Sequence, residues 1–328
     1  MFSYATPCCS HSSKRFFFYN DENNYIVKTR RECYIMLTNN TKIGFIGTGV
    51  MGKSMVQNLL QAGYPVSVYT RTKEKAQDLL NQGADWKDSV AALASESDVV
   101  ISIVGYPKDV EEVYFGTKGI IENAKTGSYI IDMTTSKPSL AERIYQEATE
   151  KGIQALDAPV SGGDIGARNG TLAIMVGGDQ DAFEAVFPIF EVMGSNIILQ
   201  GKAGAGQHTK LSNQIAIASN MIGVCEAIVY AKKAGLDPIR VLDSITTGAA
   251  GSFSLSKLAP RMIEGDFAPG FYVKHFIKDM TIALESVEEI GLSTPGLALS
   301  LNLYRELAEK GEADSGTQAL IKLFDSSL

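Results

Sequence analysis

Residues 42–52 read Lys42-Ile43-Gly44-Phe45-Ile46-Gly47-Thr48-Gly49-Val50-Met51-Gly52. A short apolar run leads into a turn with the pattern G-x-G-x-x-G, and residues 53–62 then follow a helical pattern. In this context the turn binds a dinucleotide, because the helix N-terminus presents free N–H groups to the phosphates. The stretch therefore predicts an α/β dinucleotide-binding fold, and the alternative is a glycine-rich turn without a ligand.

Each glycine of the turn has a separate predicted role. Gly47 permits the tight turn, Gly49 leaves room for a pyrophosphate beside the backbone, and Gly52 allows the helix to pack closely on the strand. The candidate cofactor-binding residues of the turn are Gly47, Thr48, Gly49, Val50, Met51 and Gly52.

Strand and helix patterns alternate on the C-terminal side of this turn. Apolar strand patterns occur at 66–69, 99–104, 129–132, 154–158 and 172–176, with helical patterns at 73–82 and 138–151 between them. This alternation predicts a doubly wound parallel sheet covered on both faces, a Rossmann domain over residues 41–199. After about residue 200 the patterns are helical: 206–234, 237–247, 254–263, 273–289, 297–310 and 316–324. Residues 200–328 are therefore predicted to form an all-α domain.

Composition narrows the classes of function. A chain of 328 residues is long enough for about two domains. Its formal net charge is −7, so it lacks the basic surface that attracts nucleic acid or anionic membranes. No uninterrupted run of about 18 apolar residues predicts a membrane-spanning helix. We expect neither nucleic acid nor a membrane as a partner, and local groups must bind any anionic ligand.

Residues 1–40 differ from the rest of the chain because they show no recurring period. We expect a disordered extension, or translated sequence upstream of a true start at Met36. A zinc site from Cys8, Cys9, His11 and Cys33 is disfavoured, since adjacent cysteines lack the usual ligand spacing. No metal site is expected. Cys225 is the one cysteine after residue 36, and a single core thiol agrees with a reducing, cytoplasmic location.

The end of the second predicted strand bears on the choice of cofactor. NAD enzymes usually carry an acidic residue there for the ribose 2′-hydroxyl. This chain reads Tyr69-Thr70-Arg71-Thr72-Lys73 and has no acid. Arg71 can pair with a 2′-phosphate, and Thr70 and Thr72 can donate their hydroxyl groups. The sequence favours NADP(H) over NAD(H), and the alternative for Arg71 is a solvated side chain at a strand end.

A second glycine-containing stretch, Asp157-Ala158-Pro159-Val160-Ser161-Gly162-Gly163, ends another predicted strand. Ligands of parallel sheets collect beyond the carboxyl ends of the strands. Ser161 offers a hydroxyl group, and Gly162 and Gly163 offer unobstructed N–H groups that can bind a carboxylate. The stretch is a candidate substrate site, with a simple turn as the alternative.

Lys210, Asn213 and Gln214 lie at positions i, i+3 and i+4 near the start of the longest helical pattern, so they share one face. Burial would lower the pKa of a lysine from about 10.4 toward neutrality, as a general acid–base group requires. Lys210 can then exchange the proton of a substrate hydroxyl, and Asn213 can orient the oxygen. The alternative is a lysine that reaches solvent at the helix start.

Four blocks of the sequence together match the pattern of a known protein family. They are the turn at 44–52, the stretch at 157–163, Gly204-Ala205-Gly206-Gln207-His208-Thr209-Lys210-Leu211-Ser212-Asn213, and Phe276-Ile277-Lys278-Asp279-Met280. In order and spacing, residues 42–325 resemble the 3-hydroxyisobutyrate dehydrogenase family of β-hydroxyacid dehydrogenases, which includes tartronate semialdehyde reductases and 6-phosphogluconate dehydrogenase.

The resemblance implies a Rossmann domain joined by a long helix to a helical domain, and a homodimer or homotetramer. It implies an oxidoreductase that interconverts a small 3-hydroxy acid and its semialdehyde or keto form. Lys210 would be catalytic, and Ser161, Gly162, Gly163 and Asn213 would contact a small carboxylate-bearing substrate. Thr135, Lys278, Val104 and Gly105 would contact the cofactor.

Three departures from the family pattern bear on the substrate. Residues 104–107 read Val-Gly-Tyr-Pro where Leu-Pro is common, Gln214 replaces a frequent second asparagine, and His275 precedes Phe276. His275 either lines a pocket or has a structural role. The alternatives are a glyoxylate or succinic semialdehyde reductase of the same family, and a non-catalytic NADP-binding scaffold. Lys210 disfavours an imine reductase, which usually lacks this lysine.

Overall fold

A computed structural model describes residues 16–19, 25–28, 33–35, 37 and 40–325. These residues separate into two units: the first contains the described residues up to Thr134 together with Pro138–Gln207, and the second contains Thr135–Lys137 and the described residues from His208 onward. The hypotheses about Cys8, Cys9, His11 and the start at Met36 concern positions outside the described residues.

The first unit contains two sheets. A three-stranded antiparallel sheet has the order β1-β2-β3, and a larger, mostly parallel sheet has the order β10-β11-β9-β8-β7-β4-β5-β6, with β12 paired to β11. The strands are β1 (Phe16–Tyr19), β2 (Tyr25–Lys28), β3 (Cys33–Ile35), β4 (Ile43–Ile46), β5 (Val66–Tyr69), β6 (Asp85–Trp86), β7 (Val99–Ser102), β8 (Tyr129–Asp132), β9 (Gln154–Asp157), β10 (Val160–Ser161), β11 (Leu172–Gly177) and β12 (Gly194–Gly201).

The central parallel strands end in register. Ile46 of β4 pairs with Tyr69 of β5 and Ser102 of β7, and the row continues through Asp132 of β8 to Asp157 of β9. The glycine-rich turn and the Arg71 segment begin directly after Ile46 and Tyr69, and the 157–163 stretch begins at Asp157. The carboxyl ends of the strands therefore bring the turns to one edge of the sheet, where ligands of such sheets bind.

The larger sheet is mostly parallel, as predicted, but β11 departs from the parallel pairing. This strand runs antiparallel to β9 and β10, although it is parallel to β12. A parallel return requires a crossover of a dozen or more residues, whereas β10 and β11 are joined through the short helix Gly163–Asn169. The apolar pattern of 172–176 predicts a strand but contains no information about its direction.

Helices cover both faces of the larger sheet, as predicted. Phe45, Ile101 and Ile131 pack into one buried cluster, whereas their neighbours Val100 and Ile130 pack into another on the opposite face. The helices of this unit are α1 (Val50–Gln61), α2 (Gln77–Asn81), α3 (Val90–Glu96), α4 (Pro107–Phe115), α5 (Ile120–Asn123), α6 (Pro138–Glu150), α7 (Gly163–Asn169) and α8 (Gln180–Met193).

The second unit is helical, as predicted. Cys225 lies in its apolar core with Phe276 and Tyr304, and burial raises the pKa of the thiol. The helices are α9 (Ala205–Lys233), whose first residues belong to the first unit, α10 (Pro238–Ile245), α11 (Ala259–Glu264), α12 (Val273–Glu289) and α13 (Pro295–Leu307), with short non-α helical segments at Ser254–Leu258, Ala308–Glu312 and Thr317–Leu323.

The helix α9 contains a long apolar stretch beyond its polar first turns. Within the described part of the chain it is the one helix long and apolar enough to cross a membrane, judged by length and composition. Core helices of soluble proteins satisfy the same test, so the finding is weak evidence for a membrane span.

Candidate functional site

The glycine-rich turn connects β4 to α1 and is closely packed. Gly47 has a φ of +97°, and a Cβ atom there would lie 2.1 Å from the carbonyl oxygen of Ile103. A Cβ atom on Gly52 would lie 2.0 Å from the carbonyl oxygen of Gly47. Neither position accepts a side chain, because the backbone atoms it would meet cannot move independently. The turn therefore has the geometry that a tight strand-to-helix connection requires.

Two observations in the turn fit a dinucleotide phosphate. A Cβ atom on Gly49 would meet no atom within 4 Å, so the space beside this glycine is open. The hydroxyl oxygen of Thr48 is buried and has no hydrogen-bond partner among the described residues. A buried hydroxyl group without a partner is costly, and an acceptor oxygen of a ligand would satisfy it. The residues present thus fit a pyrophosphate at the N-terminus of α1.

Arg71 lies just after β5, as the sequence predicts, and its side chain is 78% exposed. Its guanidinium group is 3.4 Å from the carboxylate of Asp109, which is largely buried near the start of α4. That carboxylate also accepts a hydrogen bond from the backbone N–H of Tyr106. Thr70 is partly buried and Thr72 is exposed. An exposed ion pair at this distance is weak, so the guanidinium group remains accessible to a ligand phosphate.

The segments after β7 and β8 are joined by hydrogen bonds. The backbone N–H of Val104 donates to the hydroxyl oxygen of Thr134 at 3.0 Å. Asp132 accepts hydrogen bonds from the Ser102 hydroxyl group and the Thr134 N–H. Burial raises the pKa of Asp132 to about 6, and these hydrogen bonds oppose the rise. The network holds the Val104 segment at the carboxyl edge of the sheet, beside the glycine-rich turn.

Ser161 is partly buried at the end of β10, where it pairs with Ala173 of β11. Gly162 and Gly163 both have positive φ, of +129° and +64°, and α7 begins at Gly163. These backbone conformations favour glycine, and they turn the chain sharply at the strand end. A Cβ atom on Gly163 would meet nothing within 4 Å, so its backbone is open to a ligand.

Asp157 is the buried residue that precedes this stretch. Its two carboxylate oxygens accept hydrogen bonds from the N–H groups of Gly204 and Gln207, at 2.7 and 2.8 Å. Gly204 directly precedes α9 and Gln207 lies in its first turn, so Asp157 caps that helix. Burial raises the pKa of Asp157, and the N–H groups oppose the rise. The role of Asp157 as a helix cap was not predicted.

Lys210 lies in the second unit, on α9, and is 7% exposed. Burial lowers the pKa of Lys210 to about 8; the negative charge of Asp279 opposes this change, and the positive charge of Lys278 adds to it. The alternative of a solvated lysine at the helix start is therefore wrong. At neutral pH this lysine can both donate and accept a proton.

Lys210 shares its face of α9 with a chain of hydrogen bonds. The Asn213 side chain donates to the Gln214 side-chain oxygen at 2.8 Å, and the Gln214 amide donates to the carboxylate of Asp279 at 2.6 Å. The other oxygen of Asp279 is 2.9 Å from the Lys278 ammonium nitrogen. Lys278 also donates to the backbone carbonyl oxygen of Thr135, at 2.7 Å. Four of the predicted residues, Lys210, Asn213, Lys278 and Thr135, thus belong to one unit.

His275 is half-buried on α12, and its ring meets that of Tyr272 edge to face, with centroids 5.7 Å apart. Burial lowers the pKa of His275, and the neighbouring Lys278 lowers it further. His275 is therefore neutral near pH 7. Its packing on Tyr272 favours a structural role.

Sequence reasoning missed two polar partners in these groups. Asp279 was recognised only as part of a family block, although it is 2% exposed and binds both Gln214 and Lys278. Asp109, beside Arg71, was not identified. An acidic residue directly after a lysine in an apolar helical pattern is the signal in the sequence that could have indicated Asp279.

Comparisons with known proteins cover nearly all of the described chain. A family model described as the NAD binding domain of 6-phosphogluconate dehydrogenase matches residues 42–201. A second model, described as NAD-binding of NADP-dependent 3-hydroxyisobutyrate dehydrogenase, matches residues 204–324.

Individual relatives match along almost their full length. The chain is 67% identical over 282 residues to the Bacillus subtilis protein named Uncharacterized oxidoreductase YkwC, covering 86% of this chain and 98% of the relative. It is 40% identical over 284 residues to 2-hydroxy-3-oxopropionate reductase of Escherichia coli, covering 87% and 97%. The solved structure of Mycobacterium tuberculosis 3-hydroxyisobutyrate dehydrogenase with L-serine matches with a TM-score of 0.80 and 31% identity, covering 87% of this chain and 99% of that one.

Proposed function

The chain belongs to the 3-hydroxyisobutyrate dehydrogenase family of NAD(P)-dependent oxidoreductases, and we propose that it interconverts a small 3-hydroxy acid and its semialdehyde or keto form. Lys210 is the proposed acid–base residue, and NADP(H) is the proposed preferred cofactor. The observation that carries the proposal is the burial of Lys210, which leaves its pKa at about 8.

The proposed chemistry divides between cofactor and protein. When bound, the nicotinamide ring supplies the hydride donor or acceptor. In the oxidation direction, the neutral amine of Lys210 takes the proton of the substrate hydroxyl group; in reduction, the ammonium form returns it to the carbonyl oxygen. Asn213, held by Gln214, orients that oxygen. General acid–base catalysis of this kind typically increases the reaction rate about 10²–10⁴-fold.

The pH dependence of the two directions has opposite sign. Reduction requires the protonated form of Lys210, so kcat/KM for reduction falls as the pH rises through about 8. Oxidation requires the neutral amine, so kcat/KM for oxidation rises over the same interval and then levels off. This pair of profiles serves as a signature of Lys210 in the experiments below.

Ser161, Gly162 and Gly163 are the proposed carboxylate-binding residues. The positive-φ turn conformations of both glycines and the open space beside Gly163 support this role. The two relatives are named after 2-hydroxy-3-oxopropionate and 3-hydroxyisobutyrate, which are short acids with oxygen on the third carbon. We therefore place the substrate in that class.

The cofactor proposal has two parts. The glycine-rich turn, residues 47–52, would hold the pyrophosphate, and Arg71 with Thr70 and Thr72 would bind the 2′-phosphate of NADP(H). The support for this preference is the exposed guanidinium group of Arg71 and the lack of an acidic residue at positions 70–73. Val104, Gly105, Thr135 and Lys278 are the further proposed cofactor contacts.

The variant Arg71→Ala is expected to raise the KM for NADPH roughly 10–100-fold and to leave the KM for NADH within about twofold. A charge-assisted contact is worth about 1.5–3 kcal/mol, and each 1.4 kcal/mol is a factor of ten. Steady-state kinetics with both cofactors measures the effect. Arg240→Ala is the matched control, since this exposed arginine also pairs weakly with an aspartate, at 3.7 Å. An equal loss for NADPH and NADH would contradict the assignment of Arg71.

Nicotinamide absorbance tests the reaction itself. We expect turnover with at least one of 3-hydroxyisobutyrate, L-serine, 2-hydroxy-3-oxopropionate and methylmalonate semialdehyde, faster with the NADP form of the cofactor. Preferred turnover of glyoxylate or succinic semialdehyde would move the chain to the alternative reductase of the same family. Cofactor binding without turnover across the panel would favour a non-catalytic scaffold and remove the proposed reaction.

A further inference from the structure

The second unit contains a cluster of charged residues, Lys210, Lys278 and Asp279, of which only Lys210 takes part in the proposed proton transfer. Lys210 is 7% exposed and Asp279 is 2% exposed, and the side chain of Lys278 is 11% exposed. Three ionisable groups are therefore buried together, where an unpaired charge is costly. With Lys210 protonated the cluster has two positive charges and one negative charge, and with Lys210 neutral the charges balance.

Among the residues that the structure describes, Asp279 is the acidic group whose charge acts on Lys210. The charged residues that influence Lys210 are Asp279 and Lys278, both on α12. His275 lies on the same helix, and its lowered pKa leaves it neutral near pH 7. Lys137, in the short segment of this unit, is half exposed and forms an ion pair with Glu285 at 2.8 Å. Asp279 is thus the counter-charge to the protonated form of Lys210.

Asp279 is also joined to Asn213 through Gln214. The Gln214 amide nitrogen is 2.6 Å from one oxygen of Asp279, and the Gln214 oxygen accepts the hydrogen bond from Asn213. Gln214 lies one helical turn beyond Lys210 on α9, so these side chains share a face. The hydrogen-bond chain fixes which atom of each amide points toward which partner.

We propose that Asp279 is a positioning residue of the acid–base site: it supplies the counter-charge of protonated Lys210 and, through Gln214, fixes the orientation of the Asn213 amide. Asp279 itself does not exchange a proton with the substrate. The inference deepens the proposed function, and it rests on Lys210 being the acid–base group. The glutamine at position 214 is what makes the connection, because its amide bonds to Asp279 and Asn213 at once.

The charge effect is tested without any substrate. The rate at which limiting acetic anhydride acetylates Lys210, followed by mass spectrometry as a function of pH, reports the protonation midpoint of this lysine. Asp279→Asn is expected to lower the midpoint by about one pH unit or more, since an opposite charge nearby favours the protonated form. Asp279→Glu restores the charge and is expected to restore most of the shift.

A matched control separates this effect from the loss of any buried carboxylate. Asp325 is also largely buried in the second unit and forms an ion pair with Lys232 at 3.0 Å. Asp325→Asn is expected to leave the Lys210 midpoint within about 0.3 unit, whatever it does to the melting temperature. An unchanged midpoint in Asp279→Asn overturns the charge role, and because the assay needs no turnover, it does so even if the proposed reaction is wrong.

The orientation effect is tested with Gln214→Met, which keeps the side-chain volume and removes the amide. The counter-charge is retained, so the midpoint is not expected to fall, whereas KM for the substrate is expected to rise about tenfold because the Asn213 amide loses its hydrogen bond to Gln214. An unchanged KM overturns the orientation role. If Asp279→Asn does not fold, the proposal is tested with Gln214→Met and Asp279→Glu instead.

Discussion

Replacing Lys210 with alanine is expected to lower kcat about 100- to 10,000-fold while leaving cofactor affinity nearly unchanged. The range is that of a lost general acid–base group. Cofactor affinity is retained because the variant changes neither the glycine-rich turn nor Arg71. Steady-state turnover and a fluorescence titration with NADPH measure the two quantities separately.

Two further variants make this prediction sharper. Lys210→Arg keeps a positive charge that cannot be neutralised at accessible pH, so oxidation is expected to remain lost at every pH. Lys233→Ala removes an exposed lysine near the other end of α9 and should retain full activity. Two results would remove Lys210 from the mechanism. One is near-normal turnover in Lys210→Ala; the other is a kcat/KM profile in this variant that still changes as the pH passes through about 8.

The substitution Gly47→Ala is expected to lower the free energy of unfolding by about 2–5 kcal/mol and to abolish measurable cofactor binding. A non-glycine residue at positive φ costs about 1–2 kcal/mol, and overpacking costs about 1–3 kcal/mol more. The clash arises because the added Cβ atom would lie 2.1 Å from the carbonyl oxygen of Ile103. Urea unfolding and NADPH titration measure the two effects.

Two other glycines act as matched controls for the separate causes. Gly83 has a similar φ of +102° but open space around it, so Gly83→Ala reports the backbone strain alone. Gly49 has a negative φ and open space, so Gly49→Ala should leave stability unchanged and weaken cofactor binding. If Gly47→Ala lowers the free energy of unfolding no more than Gly83→Ala does, the predicted clash between the added Cβ atom and the Ile103 carbonyl oxygen has no measurable cost.

Local patterns were sufficient for most of the fold. The strands Val66–Tyr69 and Tyr129–Asp132 and the helix Val273–Glu289 have the predicted bounds, because apolar periodicity depends on neighbours in the chain. The helix Gln180–Met193 was not predicted, and Pro188 lies inside it, where proline usually predicts a break.

The sequence by itself determined the parts of this protein that depend on short stretches of chain: the strand–turn–helix of residues 43–61, the helical domain after about residue 200, and the shared face of Lys210 and Asn213. The tertiary structure alone decided the burial of Lys210, the direction of β11 and the pairing of Gln214 with Asp279, which are 65 residues apart. Burial and long-range pairing depend on what packs against a residue, and local periodicity does not contain that information. The pKa of Lys210, on which the proposed chemistry depends, is therefore a property of the folded unit.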